Sequence, residues 1–483
     1  MKTIQNILLF VVITIFATSC GDKWLDVYPS NGIATEVSIT NIEDARAAIN
    51  GVYYEIQRSS YYGGTMSWFA DLRGDDMRPY EASSTRSPAW YEYRHTPANV
   101  PTSLWQQPYF VIRLANNILS LIDDIEITTT QTAERDYIKG EALMARALAH
   151  FDLCRVFGYP YMKDGGVSLG ATIVRTPITA SAKLPRNSVA QNYNELIIPD
   201  LLAAIPLLSE NRTGSQGRFN KWAAKLLLSR VYLYKGDDEN ALRLAEDCIA
   251  GAEAAGFARY THADYLDQWQ TKFSAESLFE IANISGQNTG SDGIAGWCSA
   301  NAITAPHEIG VTQSFFNLLR TDPDDARLRL LRTGVRPAFT GNRVFILKYT
   351  NGATPAESNV MVFRLSEAYL NAAEAAVKTG NNDKALQYLN AIVSRANPDK
   401  NVTGIVTLDR VLEERRKELF GEGHRAFDLL RNGKTIVRTT YLDNLQDFAK
   451  EIDWNNYRCV MPIPIAEIET NPNMTQNPGW GVN

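Results

Sequence analysis

The chain has 483 residues, 45% hydrophobic and 21% charged, an ordinary globular composition with enough apolar material for one large core or two merged ones. A formal net charge of −6 and the lack of a basic patch or basic domain argue against a nucleic-acid partner, because phosphate binding needs clustered Lys and Arg. Nine Trp and twenty-two Tyr exceed what a helical core requires, so some of these rings are expected to face a ligand or partner.

The first twenty residues read as an export signal. Lys2 supplies positive charge, residues 7–16 are apolar, and Ala17, Thr18 and Ser19 lead into Cys20. The apolar run is shorter than the ~20 residues a membrane span needs. Small residues before a cysteine resemble the lipobox of bacterial lipoproteins. Cleavage before Cys20 would expose its thiol and a new amine for acylation, and two or more chains anchor stably where one does not. Residues 1–19 are therefore expected to be signal peptide, 20–41 a lipidated tether, and 42–483 a single body. Cys154, Cys248, Cys298 and Cys459 are far apart and form no C-x-x-C pair, so neither a metal site nor a dense disulfide framework is expected. Cys154 and Cys248 lie on apolar helical stretches and read as buried thiols. No motif calls for a cofactor.

Helical periodicity dominates from residue 42. Helices are expected over 42–58, over 108–122 opening at Pro108, and over 132–157, where Gly158 and Pro160 stop the run. Another spans 189–208, with Pro199 kinking or breaking it. Two segments then repeat one pattern. Residues 223–234 are followed by Gly236, Asp237 and, five residues past the glycine, Ala241-Leu242; residues 364–379 are followed by Gly380, Asn381 and Ala385-Leu386. In each, glycine supplies a left-handed helix stop and the Asp or Asn caps the next helix. This is the αα-hairpin of tetratricopeptide repeats, its copies separated by large insertions. Helical segments are thus expected at about 42–58, 108–157, 189–255 and 361–396, with loop-rich insertions at about 59–107 and 256–360 and a C-terminal region at 408–483. Loops on a rigid helical frame are where binding sites usually sit.

Enzyme signatures give little. Gly166, Ser168 and Gly170 spell G-x-S-x-G, but nothing before them reads as a strand and nothing after as a helix, so a surface loop is the better reading. His95, His150, His262, His307 and His424 fall in no metal-ligand spacing. A glycosidase needs only two suitably separated carboxylates, and no local pattern marks such a pair. The charged run 413–431 looks catalytic at first sight; helical spacing instead suggests ion pairs, Glu414 with Lys417 and Arg425 with Asp428, pinning a helix–turn–helix.

That run also carries a family resemblance. Glu414, Arg415, Arg416, Glu418, Leu419, Glu422, Gly423, Arg425, Asp428, Leu429 and Arg431 match the C-terminal signature of the SusD/RagB family. The stretch from Cys20 through Leu25 and Asp26 to Pro29 is similar to its lipidated start. Arg146 to Pro160 resembles its R-A-x-x-Y-x-x-L-x-x-x-F-G-x-P, with Phe151 for the usual tyrosine. Arg364 to Glu374 and the closing Gln476-Asn477-Pro478-Gly479-Trp480 resemble further landmarks. The resemblance implies a mainly α fold, a tetratricopeptide-like frame with a large irregular lobe. It also implies a lipid-anchored, surface-exposed outer-membrane protein that acts as a lid on a SusC-like TonB-dependent transporter. Such a protein binds oligosaccharide, or in RagB-like members peptide, without bond chemistry.

Sugar faces stack on Trp and Tyr, while hydroxyls want carboxylate, amide and guanidinium partners. On that basis the ligand candidates are Trp90, Tyr91, Tyr93, Asp75, Arg78 and Asn99 in the first insertion, and Trp297 and Asn288 in the second. Trp68 and Trp105 read as core. Asp71, Asp75 and Asp76 could form a calcium site, though a solvated turn fits their spacing better. The alternatives to glycan capture are a peptide-binding homologue, a surface glycoside hydrolase, or a repeat scaffold whose aromatic loops are packed shut.

Overall fold

The computed structural model describes residues 39–80, 87–179, 181–298, 308–334, 343–438 and 445–481. The signal peptide, Cys20 and nearly all of the tether lie outside them. Among the described residues no helix is long and apolar enough to cross a membrane.

The frame is helical. Helix α1 (Ile42–Gln57) is capped by Asn41, whose side chain accepts from the Asp44 backbone N–H. After the lobe segment formed by α2 (Thr65–Leu72), β1 (Met77–Pro79) and α3 (Pro88–Tyr91), the chain enters α4 (Thr102–Leu121) and α5 (Thr132–Phe157). Helix α4 starts six residues before Pro108 rather than at it. Burial of Leu104 and Trp105 holds the extra turn together although Pro108 contributes no N–H. The span expected as one kinked helix over 189–208 has its irregularity before Pro199, as a π-helical stretch Asn192–Ile197 that feeds α6 (Ile198–Ala204). A wider turn there avoids the clash a proline ring makes with the carbonyl four residues back.

Both predicted hairpins form. Helices α7 (Lys221–Lys235) and α8 (Asp238–Ala254) are joined by Gly236 at φ 80°, and the Asp237 side chain accepts from the Asn240 N–H. Between α10 (Leu365–Lys378) and α11 (Asn382–Ala396), Gly380 at φ 74° and the Asn381 side chain do the same, the latter capping the Lys384 N–H. The hairpins pack on one another through α8 and α10. Arg230 of α7 donates to both carboxylate oxygens of Glu367 of α10, each at 2.6 Å, fixing their register with a bidentate pair.

Sheets are small. The described strands pair antiparallel in twos: β1 with β3 (Ile309–Val311), β2 (Ser277–Ile281) with β6 (Val360–Arg364), β4 (Leu331–Gly334) with β5 (Arg343–Ile346), and a short pair near the C-terminus. In the register of the first pair Met77 faces Val311 and Pro79 faces Ile309, which ties the two insertions together. The insertions are thus less irregular than expected: α2 and α3 lie in the first, and strands and the short helix α9 (Ile294–Cys298) in the second.

The C-terminal signature forms α12 (Leu408–Glu418), a turn, and α13 (Arg425–Arg431). Glu414, Arg415, Glu418, Asp428 and Arg431 are buried and do pin the frame, through partners both near and distant in sequence. Lys417 pairs with Glu413, while Glu414 pairs with Arg410 and Arg327. Asp428 is held by Arg415 and Arg431, and Arg425 reaches Asp75 instead. Arg364 binds Glu276, Glu418 and Glu422. Helical spacing accounts for Lys417 with Glu413, Glu414 with Arg410 and Asp428 with Arg431, but not for the pairings with Arg327, Arg364, Arg415 and Asp75, because the burial that makes a charge need a distant partner is set by the tertiary fold.

Candidate functional site

The two insertions meet in an aromatic cluster. Helix α2 presents Trp68 and Phe69, α3 presents Trp90, and α9 presents Trp297. The rings of Trp68 and Trp297 stack with centroids 4.6 Å apart at 18°. Trp90 stands edge-on to Trp68 at 5.3 Å and to Phe69 at 5.8 Å, and the His95 ring lies 4.2 Å from Trp90. Edge-to-face and offset geometries suit aromatic quadrupoles. Trp90 and Trp297, singled out from two separate loops, are therefore brought together by Trp68. Each of the two retains only 6% exposure, and Trp68 has 2%. Trp68 is core, as expected, and is also the keystone of the cluster. Its indole N–H is buried without a hydrogen-bond partner. Trp105 is core as well, edge-on to Phe157.

Behind this cluster sits a cationic brace. Tyr93 adopts φ 54°, a left-handed conformation that is unusual for an aromatic residue. Its hydroxyl donates to the Arg73 carbonyl at 2.6 Å, and the guanidinium groups of Arg73 and Arg438 lie 3.9 and 4.8 Å from its ring centroid. Arg438 also donates to the carbonyls of Arg73 and Gly74 and lies 4.6 Å from the Tyr91 ring centroid. Tyr91 and Tyr93 are thereby packed into the core. Burial, reinforced by Arg73 and Arg94, pushes the His95 imidazole down to about 3, so this ring is neutral at physiological pH.

The polar candidates divide. Asp75 is committed to the frame: Arg425 donates to its two oxygens at 2.6 and 3.0 Å. Burial would raise its pKa, but Arg425 and Arg416 hold it below the usual carboxylate range. Arg78 sits half-buried on β1 opposite Gly310, its Nε without a partner. Asn99 is exposed and accepts from the Thr96 N–H at 2.6 Å. Asn288 is exposed, donating to the Ile284 carbonyl at 2.9 Å and accepting from the Gly290 N–H at 3.1 Å. Both amides shape their own turns.

Two expectations need correction. Asp71, Asp75 and Asp76 form neither a calcium site nor a solvated turn. Asp71 and Asp76 are buried; Asp71 accepts from the Gly423 N–H at 2.5 Å, and Asp76 accepts from Arg416 at 2.7 Å. Among the described residues no cluster of His, Cys, Asp and Glu could hold a metal ion. The pairing of Arg425 with Asp428 is likewise replaced by that of Arg425 with Asp75. The serine of G-x-S-x-G stands in a loop after a helical turn, Tyr161–Asp164, and its hydroxyl donates to Asp164. Cys154, Cys248, Cys298 and Cys459 are all buried free thiols.

Sequence reasoning missed His95 as a partner of Trp90, although the two are only five residues apart. It also missed a groove beside α4, whose walls come from α4, residues 172–184 and residues 467–474. No spacing rule joins segments so far apart.

Comparison with known proteins is consistent with this architecture. A profile described as "SusD family" matches residues 340–480, and one described as "Starch-binding associating with outer membrane" matches residues 23–233. A solved structure of a SusD superfamily protein from Bacteroides vulgatus is 40% identical, with 92% of this chain and 100% of that one covered, at a TM-score of 0.85. SusD-like protein P2 of Formosa agariphila is 26% identical, over 98% of this chain and 99% of its own. Starch-binding protein SusD of Bacteroides thetaiotaomicron is 32% identical over 133 residues, 28% of this chain and 24% of its own.

Proposed function

The chain belongs to the SusD family, and from that membership we propose that it binds carbohydrate at the outer membrane. In this reading Cys20 carries the lipid anchor, the body faces outward, and captured oligosaccharide passes to a SusC-like TonB-dependent transporter without any bond being broken. The observation that carries the reading is the match of nearly half the chain, residues 23–233, to a profile described as starch-binding and outer-membrane-associated. The aromatic lobe supplies the residues to test: Trp68, Trp90 and Trp297 gather from two insertions, but they stack on one another with 6% or less of each exposed, so a sugar face would need them to open. The partly exposed Arg78 on β1 offers hydroxyl groups a fork of donors.

The test is a glycan array followed by calorimetry on the mature chain with Cys20→Ser, alongside Trp90→Ala and Trp297→Ala. One glycan class should bind saturably, and either change should weaken it at least about tenfold, the scale of losing a buried aromatic contact. Both rings are buried, so thermal melts and the milder Trp90→Phe separate lost binding from lost fold. Silence across the array from folded protein would sink the proposal. Release of reducing ends would move the reading to a hydrolase.

A further inference from the structure

The groove beside α4 has about 390 Å³ of open volume, whereas the other cavities described are about 20 Å³ or smaller. Trp105, Phe110, Val174, Ile178, Leu184 and Met474 line it. Phe110 and Ile178 are 42% and 54% exposed, so large apolar side chains face water here without cover. Three polar features sit among them. Thr172 is buried and its hydroxyl has no hydrogen-bond partner. Arg113 of α4 is exposed and Glu467 of the short helix Ile465–Thr470 is half-buried, and neither has an ion-pair partner among the described residues. An unanswered hydroxyl, cation and anion around an open apolar trough call for an occupant that brings apolar side chains, both charges and further hydrogen-bonding groups.

The chain itself brings such a segment to this face. The described residues begin at Ile39, just ahead of α1. Helix α1 runs antiparallel to α4: Gln107 donates to the Glu55 carbonyl at 3.1 Å, and Gly51 lies beside Leu114. The start of α1 therefore lies by the end of α4, where Arg46 pairs with Glu134 of α5. The residues between Val27 and Ile39 span up to ~40 Å when extended, against about 30 Å for the whole of α4, so the tether reaches the groove. A linker that stays in solvent is polar, whereas this one concentrates Trp24, Leu25, Val27 and Tyr28, with Lys23 and Asp26 among them. The charges also come in matching order. Arg113 lies toward the end of α4, and Glu467 toward its start, since the Ile465 N–H donates to the Pro97 carbonyl at 2.9 Å. A chain led back from Ile39 along α4 meets Arg113 with Asp26 and then Glu467 with Lys23.

We propose that this groove seats residues 23–29 of the chain's own tether. Trp24, Leu25, Val27 and Tyr28 lie against its apolar walls, Asp26 on Arg113 and Lys23 on Glu467, and the tether backbone meets Gln106 and the Thr172 hydroxyl. Covalent attachment gives the segment a roughly millimolar effective concentration, which any free ligand would have to outcompete. Seated so, the tether leaves Gly21 and Asp22 between Cys20 and the groove, and a lipid on Cys20 would hold this face of the frame against the bilayer. That orientation rests on the lipidation of Cys20; the docking does not, and it is independent of glycan capture at the aromatic lobe.

The test is disulfide trapping in the mature chain with Cys20→Ser, whose remaining cysteines are buried. Two pairs join tether to groove, Tyr28→Cys with Ile178→Cys and Leu25→Cys with Gln106→Cys. The control is Leu25→Cys with Ile405→Cys, in an exposed loop before α12. Under mild oxidation the groove pairs should close within one chain at least about tenfold faster than the control. Ile178 and Gln106 are exposed, so the reduced chains should melt with the parent. Arg113→Glu should slow closure of both pairs about two- to fivefold, the scale of a solvent-exposed ion pair, and Asp26→Arg in that background should restore it. The proposal is overturned by groove pairs that close no faster than the control, which would leave the groove to a separate ligand. It is equally overturned by cross-links between chains, which would make the occupant a second copy, or by closure indifferent to Arg113→Glu.

Discussion

Between α7 and α8, and again between α10 and α11, the packing surface is largely small and aliphatic, with Trp222 lying against Gly251 in the first and Tyr369 beside Tyr388 in the second. Ala223, Leu227, Ala241 and Ala245 in the first hairpin, and Ala368, Ala372, Ala385 and Leu389 in the second, are fully buried. At the foot of the aromatic lobe the surface is different. There α2 and the turn into β1 meet the C-terminal signature through three carboxylates, with Asp71 on the Gly423 N–H, Asp75 on Arg425 and Asp76 on Arg416. Buried alkyl groups are indifferent to pH and to the loss of any one neighbour. A buried carboxylate depends on its proton or its partner, because the low-dielectric interior penalises an unanswered charge. The hairpins should therefore be the stable part of the molecule and the lobe seat the part that chemistry can loosen.

The strongest way to break that contrast is Arg425→Met. It leaves Asp75 and Asp76 buried side by side with Arg416 as their remaining cation. Removing one partner of a buried pair costs about 3 kcal/mol or more. Urea denaturation should show that loss, and native-state hydrogen exchange should quicken over residues 65–79 before it quickens in the hairpins. Equal quickening in both would show that lobe and frame open as one unit, and the contrast would fall.

Asp71 sharpens it through pH. Burial, with Asp76 adding repulsion, pushes its carboxyl up to about 8 although the Gly423 N–H pulls the other way. An unfolded Asp titrates near ~3.9, so between those values the folded chain keeps a proton that the unfolded chain releases. The stabilising contribution is therefore present below about pH 4 and is lost as pH rises through about 8. Asp71→Asn cannot titrate. Its urea midpoint should gain on that of the parent steadily from pH 5 to pH 8, whereas a hairpin variant such as Leu389→Ala should shift by the same amount throughout. Parallel profiles for Asp71→Asn would mean the carboxyl keeps an ordinary pKa.

The same contrast explains what could be read before the fold was seen. The hairpins were legible because their instructions are local: Gly236 and Gly380 sit at positive φ, and each cap reaches three residues along the chain. Helix α5 was legible because Gly158 and Pro160 end it from within the sequence. The lobe was legible only as composition. Trp90 and Trp297 were found as candidates, but their stacking on Trp68 depends on two insertions converging, which no periodicity encodes. Asp75 looked free for ligand because Arg425 lies 350 residues away. The groove beside α4 left no sequence signal, since its walls come from three segments distant in the chain.

The smallest effect tests the hairpin side most finely. Asp237 and Asn381 play the same part in the two copies, each accepting a backbone N–H in the first turn of the following helix at 3.3 and 3.1 Å. Replacing either cap by Ala should cost about 1 kcal/mol, measured by urea denaturation at neutral pH. The pair differ in charge, and Asp237 also accepts from the Asn240 side-chain amide at 3.1 and 3.0 Å. Asp237 carries a charge at the positive end of a helix and Asn381 does not, which is worth roughly 0.3–1 kcal/mol at low ionic strength and is screened by salt. Asp237→Ala should therefore cost more than Asn381→Ala in dilute buffer, and the two should converge as salt is raised. If they differ at every salt concentration, the copies are not held by one local code, and the hairpins are less alike than their caps suggest.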